Sequence, residues 1–219
     1  VKLVPTWPTS KILWIKKHEP DVFNRVYKYL LVEDYFIWKM TGAFVAEGSL
    51  LSSTCYWNIV TKKWWDEMLD FLELTADKLP EIREPGEKVG KLLSSAAKEL
   101  GLTTETIVST GALDQACGTI GVGNIKPGIF TENIGAALAI CATLEKPVFD
   151  PNRRMPIHYH AIPDTYMAHT FTTGGMALRW FKDVFCETEI NEANLANINP
   201  YQLIDKEASQ IQPGAEGLV

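Results

Sequence analysis

The sequence predicts an α/β fold, because short segments typical of strands alternate with amphipathic helical segments. Hydrophobic residues make up 46% of the 219 residues, which is ordinary for a globular protein and argues against a disordered chain. A strand at 107–110, a turn at Gly111 and a helix starting near Asp114 follow one another directly. This order of elements is the one from which α/β folds are built.

The first 75 residues predict three helices with many aromatic side chains. The first helix ends before Pro20, since proline disfavours helical backbone at the preceding residue. Asp21 is typical of an N-cap, and apolar residues at helical spacing predict a second helix from there through Leu31 to a stop at Gly42. Thr61 is the predicted cap of the third helix. Its apolar positions are Trp64, Trp65, Met68, Leu69, Phe71 and Leu72.

Strands become frequent after residue 81. The turn Lys126-Pro127-Gly128 is the best candidate for a domain boundary, and it divides the chain into 1–126 and 127–219. Predicted helices are Ala96–Leu100, the small-residue helix from Asp114, the helix after Gly174-Gly175 and Tyr201–Gln210. Predicted strands are Val89–Leu92, Ile107–Thr110, Gly128–Ile134, Ala136–Thr143, Pro156–Ala161 and Tyr166–Thr172.

Charge and composition narrow the functional classes. With 21 Lys and Arg against 27 Asp and Glu, the net charge is −6, and an acidic surface repels nucleic-acid phosphates. No apolar stretch approaches the roughly 18 residues of a membrane span. The four cysteines are far apart and form no C-x-x-C pair, which is typical of thiols in a reducing compartment, so we expect a cytoplasmic protein. An apolar segment begins at the end of the sequence, and we expect the chain to be a fragment.

Asp114 is the first candidate for chemistry. A carboxylate at the start of a helix is stabilised by the backbone N–H groups and the positive end of the helix dipole. At the carboxyl end of a strand it also opens onto the crevice where α/β proteins bind ligands. The alternative is a structural N-cap, which is common for aspartate. The local pattern leaves both interpretations open.

Two glycine segments are candidates for phosphate or nucleotide contacts. Gly135 interrupts an apolar segment and would let a phosphate approach the backbone, although a plain hairpin turn gives the same pattern. Gly174-Gly175 precedes a helix and can present N–H groups to an anion or an adenine ring. Equally, the pair can allow close packing of a helix on a strand.

Two further candidates are less specific. His158 and His160 share one face of a strand and so could hold one metal ion, but two ligands are too few, and ordinary histidines are the favoured interpretation. Trp7 lies in a proline-flanked loop, where it could line a sugar or another flat ligand, or close the edge of a core.

The order of these signals resembles the FGGY family of carbohydrate kinases, which includes xylulokinase, gluconate kinase and glycerol kinase. The most specific piece is Gly111-Ala112-Leu113-Asp114-Gln115, which is similar to the "G-x-x-D-Q" of that family. The resemblance covers almost the whole chain. Its other elements, in chain order, are Lys11 and Trp14 with Glu19-Pro20, Asp34-Tyr35, Thr41-Gly42, Leu79-Pro80, the Gly135 hairpin, and Gly174-Gly175 with Trp180.

The resemblance implies an actin-like, ribonuclease H-like sugar kinase fold with an active site in a cleft between two domains. Residues 1–126 would be the later part of the sugar-binding domain, and 127–219 the opening part of the nucleotide-binding domain. The family transfers the γ-phosphoryl group of ATP, with Mg²⁺, to a hydroxyl of a sugar or polyol. We expect a fragment of this size to be inactive alone, and a homodimer is left open.

The resemblance also implies roles for single residues. Asp114 takes the position of the base that accepts the hydroxyl proton, and Gln115 contacts the substrate beside it. Trp7 is the remaining candidate on the sugar side, and no resident metal ligands are predicted. The nucleotide-binding candidates are Gly135, Ala136, Gly175 and Arg179.

One position departs from the family pattern. Ala136 stands where the family usually has threonine, whose hydroxyl bonds a phosphate oxygen. Losing such a charge-assisted hydrogen bond weakens the interaction with phosphate by about 1.5–3 kcal/mol. The sequence therefore leaves a second interpretation open, in which the protein is a sugar-binding or regulatory relative with impaired catalysis.

Overall fold

A computed structural model describes residues 5–152 and 154–217, which form alternating helices and strands. The chain divides into two compact units. The first runs up to Thr131 and takes in Ile140–Thr170, and the second consists of Glu132–Ala139 and the residues from Phe171 onward. The predicted boundary at residue 126 concerns the two domains of the resembled family, and it stays a prediction.

The first unit begins with helices and short strand pairs. β1 and β4 pair in parallel, while β2–β3 and β5–β6 pair antiparallel. Its elements up to residue 121 are α1 (Pro8–His18), α2 (Pro20–Arg25), α3 (Val32–Thr41), β1 (Val45–Glu47), α4 (Gly48–Leu51), β2 (Trp57–Asn58), β3 (Lys63–Trp64), α5 (Asp66–Leu72), β4 (Glu81–Arg83), β5 (Lys88–Lys91), α6 (Ser94–Leu100), β6 (Ile107–Ser109) and α7 (Asp114–Gly121).

The helix predicted from Asp21 through Leu31 is wrong beyond residue 25. α2 ends at Arg25, and Val26 takes an extended ψ of 125°. The N–H of Tyr29 then donates to the carbonyl of Lys78 at 2.9 Å, and Tyr29 packs on the core formed around Phe23 and Leu72. The segment is therefore held by a distant part of the chain and does not continue the helix. The predicted stop is confirmed, since Gly42 has a φ of +80°.

The predicted cap at Thr61 is also wrong. Thr61 lies in the turn between β2 and β3, where its N–H donates to Asn58 Oδ1 at 3.2 Å. The side chain of Asn58 therefore shapes this turn in the manner typical of Asx motifs. The third helix begins five residues later, at Asp66.

A four-stranded sheet follows α7, with the strand order β7-β8-β10-β9. In the first unit, one face of this sheet carries Ala142, Tyr159 and Tyr166, which pack on Trp57 and neighbouring residues. The opposite face carries Cys141 and Met167, which pack on α7. All six predicted strands are confirmed. The sheet strands are β7 (Phe130–Ile134), β8 (Ala137–Leu144), β9 (Ile157–Tyr159) and β10 (Tyr166–Thr173).

The second unit consists of the β7–β8 hairpin tip, the end of β10 and three helices. These are α8 (Gly175–Phe185), α9 (Glu187–Ala196) and α10 (Pro200–Ala208). The predicted final helix is confirmed as α10, and its N-cap Asn199 accepts from the N–H of Tyr201. The polar stretch after residue 187, which carried no helix prediction, forms α9. Within the described residues, no helix combines the length and the apolar character needed to cross a membrane.

Candidate active site

The loop between β6 and α7 is fixed at both ends by side chains from distant parts of the first unit. At its start, buried Thr110 donates its hydroxyl to the carbonyl of Glu84 at 2.7 Å and accepts from the N–H of Glu87 at 2.9 Å. The N–H of Gly111 donates to Glu33 Oε1 at 2.9 Å. A Cβ on Gly111 would lie 3.1 Å from the Glu33 carboxylate, so the turn leaves little room for a larger residue.

The end of the loop rests on Ser49. The N–H of Leu113 donates to Ser49 Oγ at 2.8 Å, and Ser49 Oγ donates to Glu47 Oε1 at 2.8 Å. Glu47 is fully buried and also accepts from the N–H groups of Ser49 and Leu50, both at 2.7 Å. Burial raises the pKa of Glu47 to about 7, against the opposing effect of its hydrogen bonds. The residue before Asp114 is therefore held by a buried, hydrogen-bonded pair.

Replacing Ser49 by alanine tests this support. The change removes the acceptor of the Leu113 N–H and one donor to Glu47, so the loop before Asp114 loses its anchor. Leaving a buried polar group without a partner lowers the free energy of unfolding by about 1–3 kcal/mol. We expect the unfolding midpoint measured by thermal denaturation to drop. Ser53→Ala, on the same segment, is the control. Equal midpoints for the two variants would contradict the role of Ser49.

Asp114 is the first residue of α7, and its side chain is exposed. The N-cap is Leu113, so Asp114 is not the structural cap that the sequence left open as an alternative. Its Oδ1 accepts from the N–H of Gln115 at 2.7 Å. Behind it, fully buried Ala116 packs on Cys141 and Met167 and so fixes the helix on the sheet. The result is a solvent-accessible carboxylate on a rigid backbone.

The surroundings of Asp114 are acidic. Cys117 lies one turn further along α7. Although the residue is exposed, partial desolvation of its thiol raises the pKa. The negative charges of Glu33, Glu47 and Asp114 raise this pKa further. Burial likewise raises the pKa of Glu33, although its bond from Gly111 acts in the opposite direction. The thiol is therefore poorly ionised near neutral pH. Of the carboxylates of Glu33, Glu47 and Asp114, that of Asp114 belongs to an exposed residue.

In the second unit, the two glycine segments meet. The N–H of Gly175 donates to the carbonyl of Gly135 at 2.9 Å, and the N–H groups of Gly174 and Met176 both donate to the carbonyl of Ala136 at 3.2 Å. The first amides of α8 are thus used within the protein. This is the close packing of helix on strand that the sequence left open as one interpretation, and the predicted nucleotide contact of Gly175 stays a prediction.

Ala136 and Arg179 are both accessible in this unit. Ala136 is exposed at the tip of the β7–β8 hairpin, beside Gly135. Arg179 lies one helical turn after Gly175, and its guanidinium is 3.7 Å from the carboxylate of Asp183 with 76% of its side chain exposed. An ion pair so exposed contributes little, which leaves the guanidinium able to bind an anionic ligand instead.

Trp7 is the residue that precedes α1, and its side chain is half-buried. Its carbonyl accepts from the N–H of Ser10 at 3.1 Å, so the backbone of Trp7 shapes the start of the helix. Its predicted contact with a sugar stays a prediction.

His158 and His160 are both buried, and the ring of each contacts other residues of the first unit. The N–H of Ile162 donates to His160 Nδ1 at 3.2 Å, and His160 Nε2 lies 3.4 Å from the Thr143 hydroxyl. The ring of His158 packs against that of His169 with centroids 5.6 Å apart, and burial lowers the pKa of His158 to about 4. No three His, Cys, Asp or Glu residues in the described ranges are arranged to hold a metal ion. The geometry favours structural histidines.

Comparison with known proteins decides the family. Residues 1–121 match the N-terminal domain of the FGGY family of carbohydrate kinases. The chain belongs to the FGGY family. This FGGY chain is 29% identical over 210 residues to an autoinducer-2 kinase of Salmonella paratyphi A, and 28% identical to one of Escherichia coli. In both comparisons the match covers 95% of the chain but 40% of the relative, so the chain spans less than half the length of these relatives.

Solved structures give the same result for the fold. The FGGY chain superimposes with a TM-score of 0.84 on ligand-bound xylulose kinase and with 0.86 on gluconate kinase, both from Lactobacillus acidophilus and both 26% identical. Each superposition covers 98% of this chain and 42% of the other. The resemblance and the expected partial actin-like, ribonuclease H-like sugar kinase fold are confirmed.

The structure adds three residues of this FGGY chain that sequence reasoning missed. Glu33, Glu47 and Ser49 support the loop of Asp114, although they precede it by 64 to 78 positions where they bond Leu113 and Gly111. No local signal marks Ser49; in the structure Glu47 caps the short helix α4 by accepting from the N–H groups of Ser49 and Leu50. No local pattern connects this cap to Leu113.

Proposed function

We propose that the protein containing this chain transfers the γ-phosphoryl group of ATP to a hydroxyl of a sugar or polyol. Membership of a family of carbohydrate kinases supports this class of reaction. The observation that carries the proposal is the exposed carboxylate of Asp114, at the first position of a helix whose preceding loop is held at both ends. Asp114 also stands where the family motif has its aspartate.

In this mechanism Asp114 acts as the general base. One carboxylate oxygen accepts the proton of the substrate hydroxyl while that hydroxyl oxygen attacks the γ-phosphorus. The new O–P bond forms as the bond from the γ-phosphorus to the β–γ bridging oxygen breaks, and ADP leaves. The proton then passes from Asp114 to water. Gln115 contacts the acceptor molecule beside this carboxylate, and Trp7 packs against it from the sugar side.

The nucleotide contacts belong to the second unit. Gly135 and Ala136 form the hairpin tip that faces the phosphates, and the exposed guanidinium of Arg179 supplies positive charge. Gly175 holds this hairpin through its N–H. Mg²⁺ bound to ATP would neutralise phosphate charge.

ADP release by the full-length protein tests the proposal. The similar proteins are named after different acceptors. The panel of candidate acceptors to be assayed therefore contains pentuloses such as xylulose, hexonates such as gluconate, polyols such as glycerol, and autoinducer-2. We expect ATP-dependent phosphorylation of at least one acceptor. ATP binding and acceptor binding are measured in parallel by calorimetry. Binding of neither ligand, with no ADP release, would contradict the proposal.

Ala136 favours a second candidate function, a sugar-binding regulator with impaired catalysis. Its methyl group cannot donate the hydrogen bond that threonine gives to a phosphate oxygen. Acceptor binding without ADP release in the same assay would support this candidate. ADP release at rates ordinary for kinases, about 1–100 s⁻¹, would contradict it.

Replacing Ala136 by threonine distinguishes the candidates further. Restoring a charge-assisted hydrogen bond worth about 1.5–3 kcal/mol is expected to raise kcat/KM for ATP ten- to a hundredfold. The measurement is ADP release against ATP concentration at saturating acceptor. Ala137→Thr introduces the same group one residue later and serves as the control. An unchanged kcat/KM for ATP in Ala136→Thr would contradict the placement of this side chain towards phosphate.

A further inference from the structure

Glu47 is a fully buried carboxylate that belongs to no ion pair within the described residues. It accepts three hydrogen bonds, from the N–H of Ser49 to Oε2 and from the N–H of Leu50 and the Ser49 hydroxyl to Oε1. Arg83, which is opposite Glu47 in the parallel pairing of β1 and β4, bonds Glu81 instead. Helix capping accounts for the two N–H bonds. It does not account for the bond from the Ser49 hydroxyl, and burying a carboxylate without a cation is costly.

The charge of Glu47 sets the direction of the hydrogen bonds that follow. An ionised carboxylate only accepts, so the Ser49 hydroxyl donates its single proton to Glu47 at 2.8 Å. The lone pairs of Ser49 Oγ then remain for an incoming donor, and the N–H of Leu113 donates to them at 2.8 Å. Hydrogen bonds in such a row strengthen one another. Glu47 is thus connected to Leu113 by two hydrogen bonds that run in one direction.

The position of Asp114 depends on the residues on either side of it. Leu113 is the N-cap of α7, and Asp114 follows it as the first helical residue. On the other side, fully buried Ala116 packs on the sheet residues Cys141 and Met167. The backbone that carries the Asp114 carboxylate is therefore fixed by a polar contact before it and by an apolar contact after it.

We propose that Glu47 is a positioning residue for Asp114, and that it acts through Ser49 and Leu113 to hold the carboxylate where it accepts the hydroxyl proton. This inference rests on the proposed function. A misplacement of about 1 Å at a reacting group can lower a rate about a hundredfold. Because the nucleotide contacts are proposed for the second unit, loss of this support should lower kcat and leave KM for ATP unchanged.

The test compares Ser49→Ala, Glu47→Gln and the double variant in the full-length protein, at about pH 8.5, where Glu47 is ionised. Ser49→Ala removes the oxygen atom that joins Glu47 to Leu113. The glutamine amide nitrogen cannot accept, so Glu47→Gln loses at least one of the three hydrogen bonds. We expect kcat to fall about tenfold in each single variant with an unchanged KM for ATP. The double variant should have nearly the kcat of Ser49→Ala, since the effects of residues that act as one unit do not add.

Backbone hydrogen exchange of the segment 112–116, followed by mass spectrometry, measures the same support without an activity assay. Because the Leu113 N–H loses its acceptor in Ser49→Ala, exchange of this segment should be faster in that variant than in the wild type. Thermal denaturation first establishes that each variant is folded at the assay temperature. If Glu47→Gln does not fold, Ser49→Ala and its control decide the question.

Ser52→Ala is the matched control. The Ser52 hydroxyl likewise donates to an oxygen of its own segment, the Gly48 carbonyl at 2.8 Å, and accepts from a distant N–H, that of Tyr159 at 2.8 Å. This variant should also have a lower unfolding midpoint, but it should keep the wild-type kcat and the wild-type exchange of 112–116.

The proposal is overturned if Ser49→Ala has the kcat of Ser52→Ala, or if the kcat losses of the two single variants multiply in the double variant. Wild-type activity in Asp114→Asn would instead overturn the proposed function. The exchange measurement does not depend on activity, so the two failures are distinguishable.

Discussion

Replacing Asp114 by asparagine is expected to lower kcat of the full-length protein by about two to four orders of magnitude, the usual contribution of a general base. Asparagine keeps the size of the side chain and its acceptor oxygen for the N–H of Gln115, but it cannot take a proton. The acceptor molecule should therefore bind with nearly unchanged affinity. Single-turnover ADP release and acceptor titration by calorimetry measure the two quantities separately.

Asp66→Asn is a closely matched control for this variant. Asp66 is likewise the first helical residue of its helix, α5, likewise exposed, and likewise preceded by a residue that makes no side-chain cap. Both substitutions remove a negative charge from a helix N-terminus. Such a charge stabilises the helix by about 0.3–1 kcal/mol. Both variants should show the same small fall in unfolding midpoint, and Asp66→Asn should keep full activity. If the activity of Asp114→Asn were within threefold of that of the control, the assignment of Asp114 as the general base would be contradicted.

The strand, turn and helix around Asp114 were predictable because their signals are local. Apolar residues mark the strand, Gly111 marks the turn, and small residues after Asp114 mark the helix, all within about fifteen positions. The same reasoning failed between residues 26 and 31. There the deciding interaction is the hydrogen bond from Tyr29 to Lys78, a residue almost fifty positions away that no local periodicity reveals.

The residues that support the loop before Asp114 show the same limit of prediction from local sequence patterns. Ser49 and Glu33 reach the loop across 64 and 78 positions, so only the folded chain brings them together with Leu113 and Gly111. Lys62 is a second example, because it bonds Glu84, Tyr159 and Asp164, which are 22, 97 and 102 positions away. Single-sequence patterns identify residues able to perform chemistry, but they do not identify the residues that hold them in place.

For the glycine pair, the sequence left a nucleotide contact and close helix–strand packing open, and steric geometry supports the packing. A Cβ on Gly174 would lie 2.7 Å from the backbone nitrogen of Leu138, closer than real Cβ atoms approach. On Gly175 it would lie 2.4 Å from the carbonyl oxygen of Gly135. The absence of side chains at both positions is thus required by the contact between α8 and the β7–β8 hairpin. A nucleotide contact through this hairpin would depend on that packing.

Replacing Gly175 by alanine should therefore have the second-largest effect. The clash is with backbone, which cannot rotate away as a side chain can, so α8 or the hairpin must move. Overpacking of this kind destabilises by about 1–3 kcal/mol and sometimes more. The hydrogen bonds from Gly174 and Met176 to Ala136 would lengthen as well. We expect a lower unfolding midpoint and a KM for ATP raised at least tenfold, with KM for the acceptor little changed, measured by thermal denaturation and steady-state kinetics.

Gly121→Ala provides the matched comparison. Gly121 ends α7, and a Cβ there would meet no described atom within 4 Å, so the same added methyl group should leave both the unfolding midpoint and KM for ATP close to wild type. A wild-type midpoint in Gly175→Ala would mean that α8 does not pack on the hairpin as it does here. A lowered midpoint with an unchanged KM for ATP would keep the packing but contradict the nucleotide role proposed for Gly135 and Ala136, because the hairpin would then have moved without consequence for ATP.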